Sequence, residues 1–577
     1  MQISIFTAQS KAMKKFSELE YRRPDLDAVK SKFKSLLEQF DSAKNFTTQE
    51  DALKEINALR AEFSTAASIA SVRNTIDTSN QYYELEQDFF DQTGPIFQDL
   101  NIQFYRSLSK SPFQKDLRDK FGNQLFDIAE ANVRSFDASV IADIQEENKL
   151  STEYSKLVAS AEIEFDGKKL NLAGLDPYLQ STDRTVRKNA ADTNYAWWSK
   201  NAKVFDELYD KLVKIRARIA KKLGYNNFVE LGYDRMNRTD YNAEDVKKFR
   251  QQVVDFVVPL SVELRARQAK RLGLDELYYY DMNLNFNSGN PTPKGDPDWI
   301  LDNGKKMYNE LSPETKEFFE FMTTYELLDL VNKKNKQAGG YCTHFSKYKA
   351  PFIFSNFNGT SHDIDVLTHE AGHAFQCFQS RDHEMEEYLW PTYEACEIHS
   401  MSMEFFAWPW MESFFKEDTG KYKFQHLAGT ILFLPYGCAV DEFQHIIYEN
   451  PDYTPEQRNA VWAEMEKKYR PWINFGDNEY LKGGGMWKRQ GHIYRSPFYY
   501  IDYCLAQICA LQFWSRSQKD FKGAWSDYLT LCKAGGSKPF IELVALAGLN
   551  NPFQETTVKP VITEVKAWLD SIDDTKY

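Results

Sequence analysis

Apolar residues recur at three- and four-residue spacing through residues 25–159, among dense Glu, Lys and Gln with few Gly or Pro, a pattern that predicts amphipathic helices. Residues 51–72, DALKEINALRAEFSTAASIASV, carry it most clearly. Near Ala161 the period changes to two: Ile163 and Phe165 precede Asp166-Gly167, and Leu170 and Leu172 follow, which predicts a small hairpin. Helical spacing resumes at Ser181. A soft boundary near residue 180 therefore separates an N-terminal helical region, 1–180, from the remaining 181–577.

Residues 285–303, NFNSGNPTPKGDPDWILDN, are rich in Asn, Gly and Pro and read as a loop, either a connector or a cover over a cleft. Farther on, FIFSNF lies between Pro351 and the Asn358-Gly359 turn signal and predicts a strand. It leads into VLTHEAGHAFQCF, residues 366–378. Beyond residue 395 helical segments dominate again, broken by FGDNEYLKGGGMWKRQGH with its three successive glycines.

Composition narrows the function classes. With 42% hydrophobic and 27% charged residues in 577, the chain can bury a large core. Lys and Arg number 71 against 84 Asp and Glu, a net charge of −13, which repels phosphate backbones and anionic membrane surfaces. No run of 18 apolar residues occurs, so no membrane helix is expected. The first residues turn charged within a dozen positions and lack the apolar segment of a leader. Seven Cys, odd in number and without paired metal spacing, fit reduced thiols in a cytoplasm. Aromatics reach 15%; they serve a packed core or a groove lined for peptide side chains.

All nine His fall between His344 and His492, and two of them stand in His369-Glu370-Ala371-Gly372-His373. On a helix, residues four apart are separated by about 40° around the axis, so both imidazoles project toward a common point where a divalent metal can bridge them. Glu370 stands roughly 100° away, too far round to be a natural ligand but able to reach a water on the metal's open side. The apolar Val366, Leu367, Ala374 and Phe378 supply the buried face, and Ala371 and Gly372 are small enough for close helix packing. Zinc needs a third protein ligand, and PTYEACEIHSMSMEFF offers Glu394, Glu397 and Glu404. Spacing and charge do not separate Glu394 from Glu397. Glu397 and Glu404 lie seven apart on one face, which suits one ligand plus a carboxylate orienting a His, whereas His399 points elsewhere.

These residues resemble the thimet oligopeptidase and oligoendopeptidase F family of zinc metallopeptidases, and the oligoendopeptidase F branch in particular. Three blocks carry the resemblance: GGYC followed by APFIFSNFNGTSHDIDVLTHEAGHAFQ, then PTYEACEIHSMSMEFF, then GGGMWKRQGHIYRSPFYYIDY. It implies His369, His373 and Glu397 as ligands of one zinc per chain, with Glu404 seven residues on and Glu394 set aside, and Glu370 as catalytic base. It also implies that His492, Tyr500 and Tyr503 reach into the cleft, with adjacent Tyr499 able to take one of the tyrosine roles. The implied fold is mostly α: a large helical ellipsoid split by a deep channel, with a small β-sheet beside the His-Glu helix. FIFSNF would be the edge strand along which substrate backbone lies. The triple glycine, read from its own residues, lacks the Lys-Ser/Thr of a phosphate loop and is either a flap over the peptide or a plain turn.

The activity implied is endoproteolysis of short unstructured peptides. Two rivals stand beside it. A helical zinc carboxypeptidase or dipeptidyl carboxypeptidase would need a cation for the terminal carboxylate, for which Arg489 and Arg495 are available. A catalytically silent peptide-binding protein would have no need of Glu370.

Overall fold

Asp and Asn residues start the helices of the N-terminal region, each satisfying amides that have no partner inside the helix. Asp25 accepts from the N–H groups of Asp27 and Ala28 to open Leu26–Ser42, Asn45 caps Phe46–Ile76, and Asn80 caps Gln81–Lys110. Aromatic rings lock the three together, with Phe63 stacked on Phe97 at 3.9 Å and Phe33 edge-on to Phe97 at 6.1 Å. The computed structural model describes residues 13–577; the first dozen positions, whose sequence lacks the apolar segment of a leader, lie outside the described residues.

The hairpin forms where the period-two pattern placed it. Strands β1 (Ile163–Phe165) and β2 (Lys168–Leu170) pair antiparallel, and Asp166 and Gly167 both take positive φ, 53° and 69°, as a two-residue primed turn requires. Side chains cross the boundary near residue 180. Arg60 reaches Glu387 at 2.7 Å, and Arg216 reaches Glu147 at 2.6 Å.

A three-stranded sheet corrects one expectation. Strands β3 (Leu328–Val331), β4 (Tyr341–Phe345) and β5 (Ala350–Phe357) run in the order β3-β5-β4, with β5 parallel to β3 and antiparallel to β4. FIFSNF belongs to β5 and is therefore central, not an edge. Its residues 350–355 are buried on both faces, which suits a strand covered on each side. β3 and β4 are the two edges, and β4, whose Tyr341 faces Phe354, is the one that lines the cavity described below.

Two further readings change. The loop at 285–303 ends at Asp296, whose carboxylate accepts from Trp299 N–H at 2.9 Å and caps the helix Pro297–Leu311; proline at a first helical position is a start signal. Of the two readings of the triple glycine, the packing supports the plain turn. Gly484, at φ 76°, lies so close to the Asn459 carbonyl that a side chain has no room, and Tyr480 covers Gly485 while donating its hydroxyl to that residue's carbonyl at 2.6 Å. Helices make up most of the rest of the described chain.

Candidate metal centre and active-site cavity

The His-Glu helix, His362–Ser380, is anchored at its start by Asp363, which accepts from the N–H groups of Asn358 and Gly359 at 2.9 and 2.8 Å. Ile364, Leu367, Ala371, Ala374 and Phe375 bury its apolar face completely. A second helix, Tyr393–Phe406, crosses it at Gly372. This close approach brings Glu397 to the two imidazoles.

His369 Nε2 and His373 Nε2 lie 3.2 and 3.3 Å from one oxygen of Glu397, Oε2. Ligand atoms of the three residues all lie within 4.8 Å of one another. Two imidazole nitrogens and one carboxylate oxygen make the donor set that zinc takes with one position left open, so these residues fit such an ion. Burial opposes ionisation of Glu397, but His373 and His369 outweigh it and hold the carboxyl well below the usual range. Ser400 donates to Oε2 at 2.8 Å, and the Tyr499 hydroxyl donates to Oε1. Glu404 accepts from His369 Nδ1 at 2.7 Å, leaving the Nε2 lone pair of that ring turned toward Glu397. Glu394 faces away, bonded by the Tyr241 hydroxyl with Arg238 at 3.6 Å. His399 is fully buried, its carbonyl accepting from Tyr528 at 2.8 Å.

Glu370 borders the same space. Its Oε1 lies beside Gly340, where a Cβ would come within 3.0 Å of it, and its buried Oε2 has no hydrogen-bond partner among the described residues. Burial raises its pKa, with His369 and His373 offsetting part of the effect; a raised carboxyl suits a base that must also return a proton.

Opposite stand His492, Tyr499 and Tyr503. The Gln490 amide donates to His492 Nδ1 at 2.7 Å, so the ring carries its proton on Nε2, which lies 3.3 Å from the Tyr503 hydroxyl. Burial, helped by Arg495, lowers the His492 pKa to about 3, so the ring is neutral. Burial, then Glu397, pushes the Tyr503 phenol well above its usual range, so it keeps its proton.

His369, Glu370, His373, Glu397, His492, Tyr499 and Tyr503 all line one cavity of about 810 Å³, together with residues 339–343 leading into and along β4. Tyr500 is outside that lining and packs against Phe433 and Tyr436, both at 5.8 Å. The phase is set by Phe498, a non-glycine residue at φ 67°, whose N–H bonds Gln444 at 3.0 Å and whose carbonyl accepts from Arg238 at 2.7 Å. No spacing rule flags such a turn, although the Tyr499-Tyr500 pair marks the position where phase matters. Arg495 lines the cavity; Arg489 does not, and lies 3.5 Å from the Tyr195 hydroxyl.

The chain matches the model of the peptidase M3 N-terminal domain over residues 16–136 and that of peptidase family M3 over 177–293 and 306–561. It is 23% identical over 619 residues to oligopeptidase PepF of Bacillus subtilis, across 99% of this chain and 85% of that protein. A solved structure of Pz peptidase A with an inhibitor shares 56% identity and a TM-score of 0.97, covering 97% of this chain and all of that one. Oligoendopeptidase F from Enterococcus faecium, at 15% identity and a TM-score of 0.59 over 96% of this chain and 99% of that one, shares the fold. With matched segments spanning most of its length and a His-His-Glu cluster that could hold a metal ion within them, the chain belongs to peptidase family M3 and is a metallo-oligopeptidase.

Proposed function

We propose that the protein is a zinc-dependent oligoendopeptidase that cuts internal bonds of short unstructured peptides in the cytoplasm, with His369, His373 and Glu397 holding one zinc. The observation that carries this is the convergence of His369 Nε2 and His373 Nε2 on one oxygen of Glu397, with Glu370 on the same cavity wall. The cytoplasmic assignment rests on the seven free thiols.

When bound, zinc supplies Lewis acidity that makes a water acidic and draws charge from the scissile carbonyl. Glu370 takes the proton of the attacking water and passes it to the leaving nitrogen. Tyr503 and His492 Nε2 donate toward the carbonyl oxygen as it becomes negative. Tyr499 holds Glu397 in place, and of the two adjacent tyrosines it is the one with a role at the cavity. Substrate backbone adds to the β4 edge, where main-chain bonding recognises extended peptide of any sequence and excludes folded chains.

One observation favours a second reading, removal of residues from a free C-terminus: Arg495 is exposed at the cavity and has no ion-pair partner within 4.0 Å among the described residues. Digestion of a mixed peptide pool, half of it amidated at the C-terminus, with mass readout and metal analysis of the same preparation, decides between the two. Internal cleavage of both halves with about one zinc per chain is expected. Cleavage confined to free C-termini would establish the carboxypeptidase, and uncut peptide with zinc present would establish a binding protein.

A further inference from the structure

Glu404 holds two imidazoles at once. Its Oε1 accepts from His369 Nδ1 at 2.7 Å, and its Oε2 meets His426 Nε2 at 2.6 Å. His426 comes from another element, the long helix Thr419–Glu449. A carboxylate can only accept, so each ring must turn an N–H toward it. On His426 the remaining nitrogen is also committed: Trp408 Nε1 lies 3.0 Å from His426 Nδ1. An indole N–H donates and has no lone pair to offer. His426 Nδ1 must therefore be bare, which places the single ring proton on Nε2 and keeps the ring neutral. The carboxylate favours a second proton on His426, but that proton would point at the indole N–H, and the donor-only indole decides the outcome.

The ring's orientation is held as firmly as its tautomer. Tyr422 stacks on it at 5.5 Å with planes 7° apart, and the Tyr422 hydroxyl is tied to Asp365 of the His-Glu helix at 2.7 Å. Trp408 is buried four residues beyond Glu404, at the end of the helix that carries Glu397. A neutral donor beside Glu404 bonds it without cancelling its charge, so the full negative charge remains to polarise His369. Partners of this kind hold a metal-ligating imidazole in the right tautomer and raise its basicity.

Resting on the reading of His369 as a metal ligand, we propose that Trp408 and His426 are positioning residues for the metal. The Trp408 indole selects the His426 tautomer that donates to Glu404, and Glu404 so held orients the His369 ring. The chain of groups extends from a core indole to the cavity across three elements.

The test reads zinc release, not turnover. Zinc-loaded wild type, Trp408→Phe, His426→Leu and His426→Gln are challenged with a chromogenic chelator, and affinity is taken from competition. Trp408→Phe and His426→Leu should bind zinc roughly 10- to 100-fold more weakly, while His426→Gln, which keeps an N–H for Glu404, recovers most of the loss. Zinc affinity within about twofold of wild type in both Trp408→Phe and His426→Leu overturns the proposal; the melting temperature of the zinc-free variants then reports a packing role alone. A His369→Ala control that retains zinc would instead remove the underlying metal reading. Should the variants fail to fold, ¹⁵N-histidine spectra of the wild-type protein still decide. A neutral ring with its proton on Nε2 is expected for His426, and a doubly protonated ring or one protonated on Nδ1 overturns the assignment.

Discussion

Gly372 passes so close to His399 that a Cβ built on it would lie 2.5 Å from the His399 carbonyl oxygen and 2.6 Å from Ser400 Cα. Neither obstacle is a movable side-chain end, so Gly372→Ala must spread the two helices that bring His369, His373 and Glu397 together. A loss of about 1–3 kcal/mol in stability is expected, as for overpacking elsewhere, with weaker zinc binding. Calorimetry and chelator competition check it; wild-type values in both would mean that the crossing is looser than the geometry states.

Glu370 and Glu397 should separate cleanly. Glu370→Gln leaves His369, His373 and Glu397 in place and should retain zinc and peptide binding while losing most turnover. Glu397→Ala should lose the metal itself. Full zinc occupancy in Glu397→Ala, measured by elemental analysis, would remove that residue from the ligand set.

The tyrosines should differ according to their place. Tyr503→Phe removes a donor that matters only once the carbonyl oxygen is charged, so kcat should fall by about a hundred- to a thousand-fold, or 2.7–4 kcal/mol, with KM nearly unchanged. Tyr499→Phe frees one oxygen of Glu397 and should weaken zinc binding. Tyr500→Phe, packed behind the cavity wall, should keep near-normal kcat. A large kcat loss in Tyr500→Phe alone would restore Tyr500 to the site.

Three buried histidines should each cost stability as pH falls below neutrality. Burial lowers the pKa of His344 and His445 to about 4 and of His399 to about 3, against about 6.5 in an unfolded chain. As pH falls below 6.5 the unfolded state takes up protons that these three side chains refuse in the folded state, so the stability they contribute is full above that pH and declines toward pH 4. His344→Phe should flatten the decline by close to one proton, about 1.4 kcal/mol per pH unit. Thermal midpoints of both proteins between pH 7 and 4.5 provide the comparison, and parallel curves would contradict it.

Backbone recognition at β4 predicts a signature in the substrate. N-methylation of single peptide bonds flanking the scissile bond should raise KM at alternate positions, because alternate amides of an added strand point toward the edge. Uniform tolerance to N-methylation would argue for recognition by side chains alone.

Local chemistry was legible in the order of residues. The i, i+4 histidines, the small residues between them and the apolar positions around them describe one face of one helix, a geometry that follows from helical pitch alone. The hairpin at Asp166-Gly167 was equally local, since its two-residue turn needs positive φ at both positions. The choice of Glu397 over Glu394 came from family resemblance, because both carboxylates are compatible with an inward-facing helix; only the crossing at Gly372 turns one toward the imidazoles and leaves the other with Tyr241 and Arg238. FIFSNF reads as a strand, but its neighbours are chosen by long-range pairing, and a strand buried on both faces becomes central while β3 and β4 take the two edges. Tyr499 and Tyr500 are chemically identical and adjacent. What faces one of them to the cavity is the left-handed turn at Phe498, held by Gln444 and Arg238 from distant parts of the chain, and such strain persists only where the surrounding structure enforces it. The link from Trp408 through His426 to Glu404 is likewise tertiary, because a donor-only indole fixes a tautomer only when folding brings it within hydrogen-bonding distance of the ring.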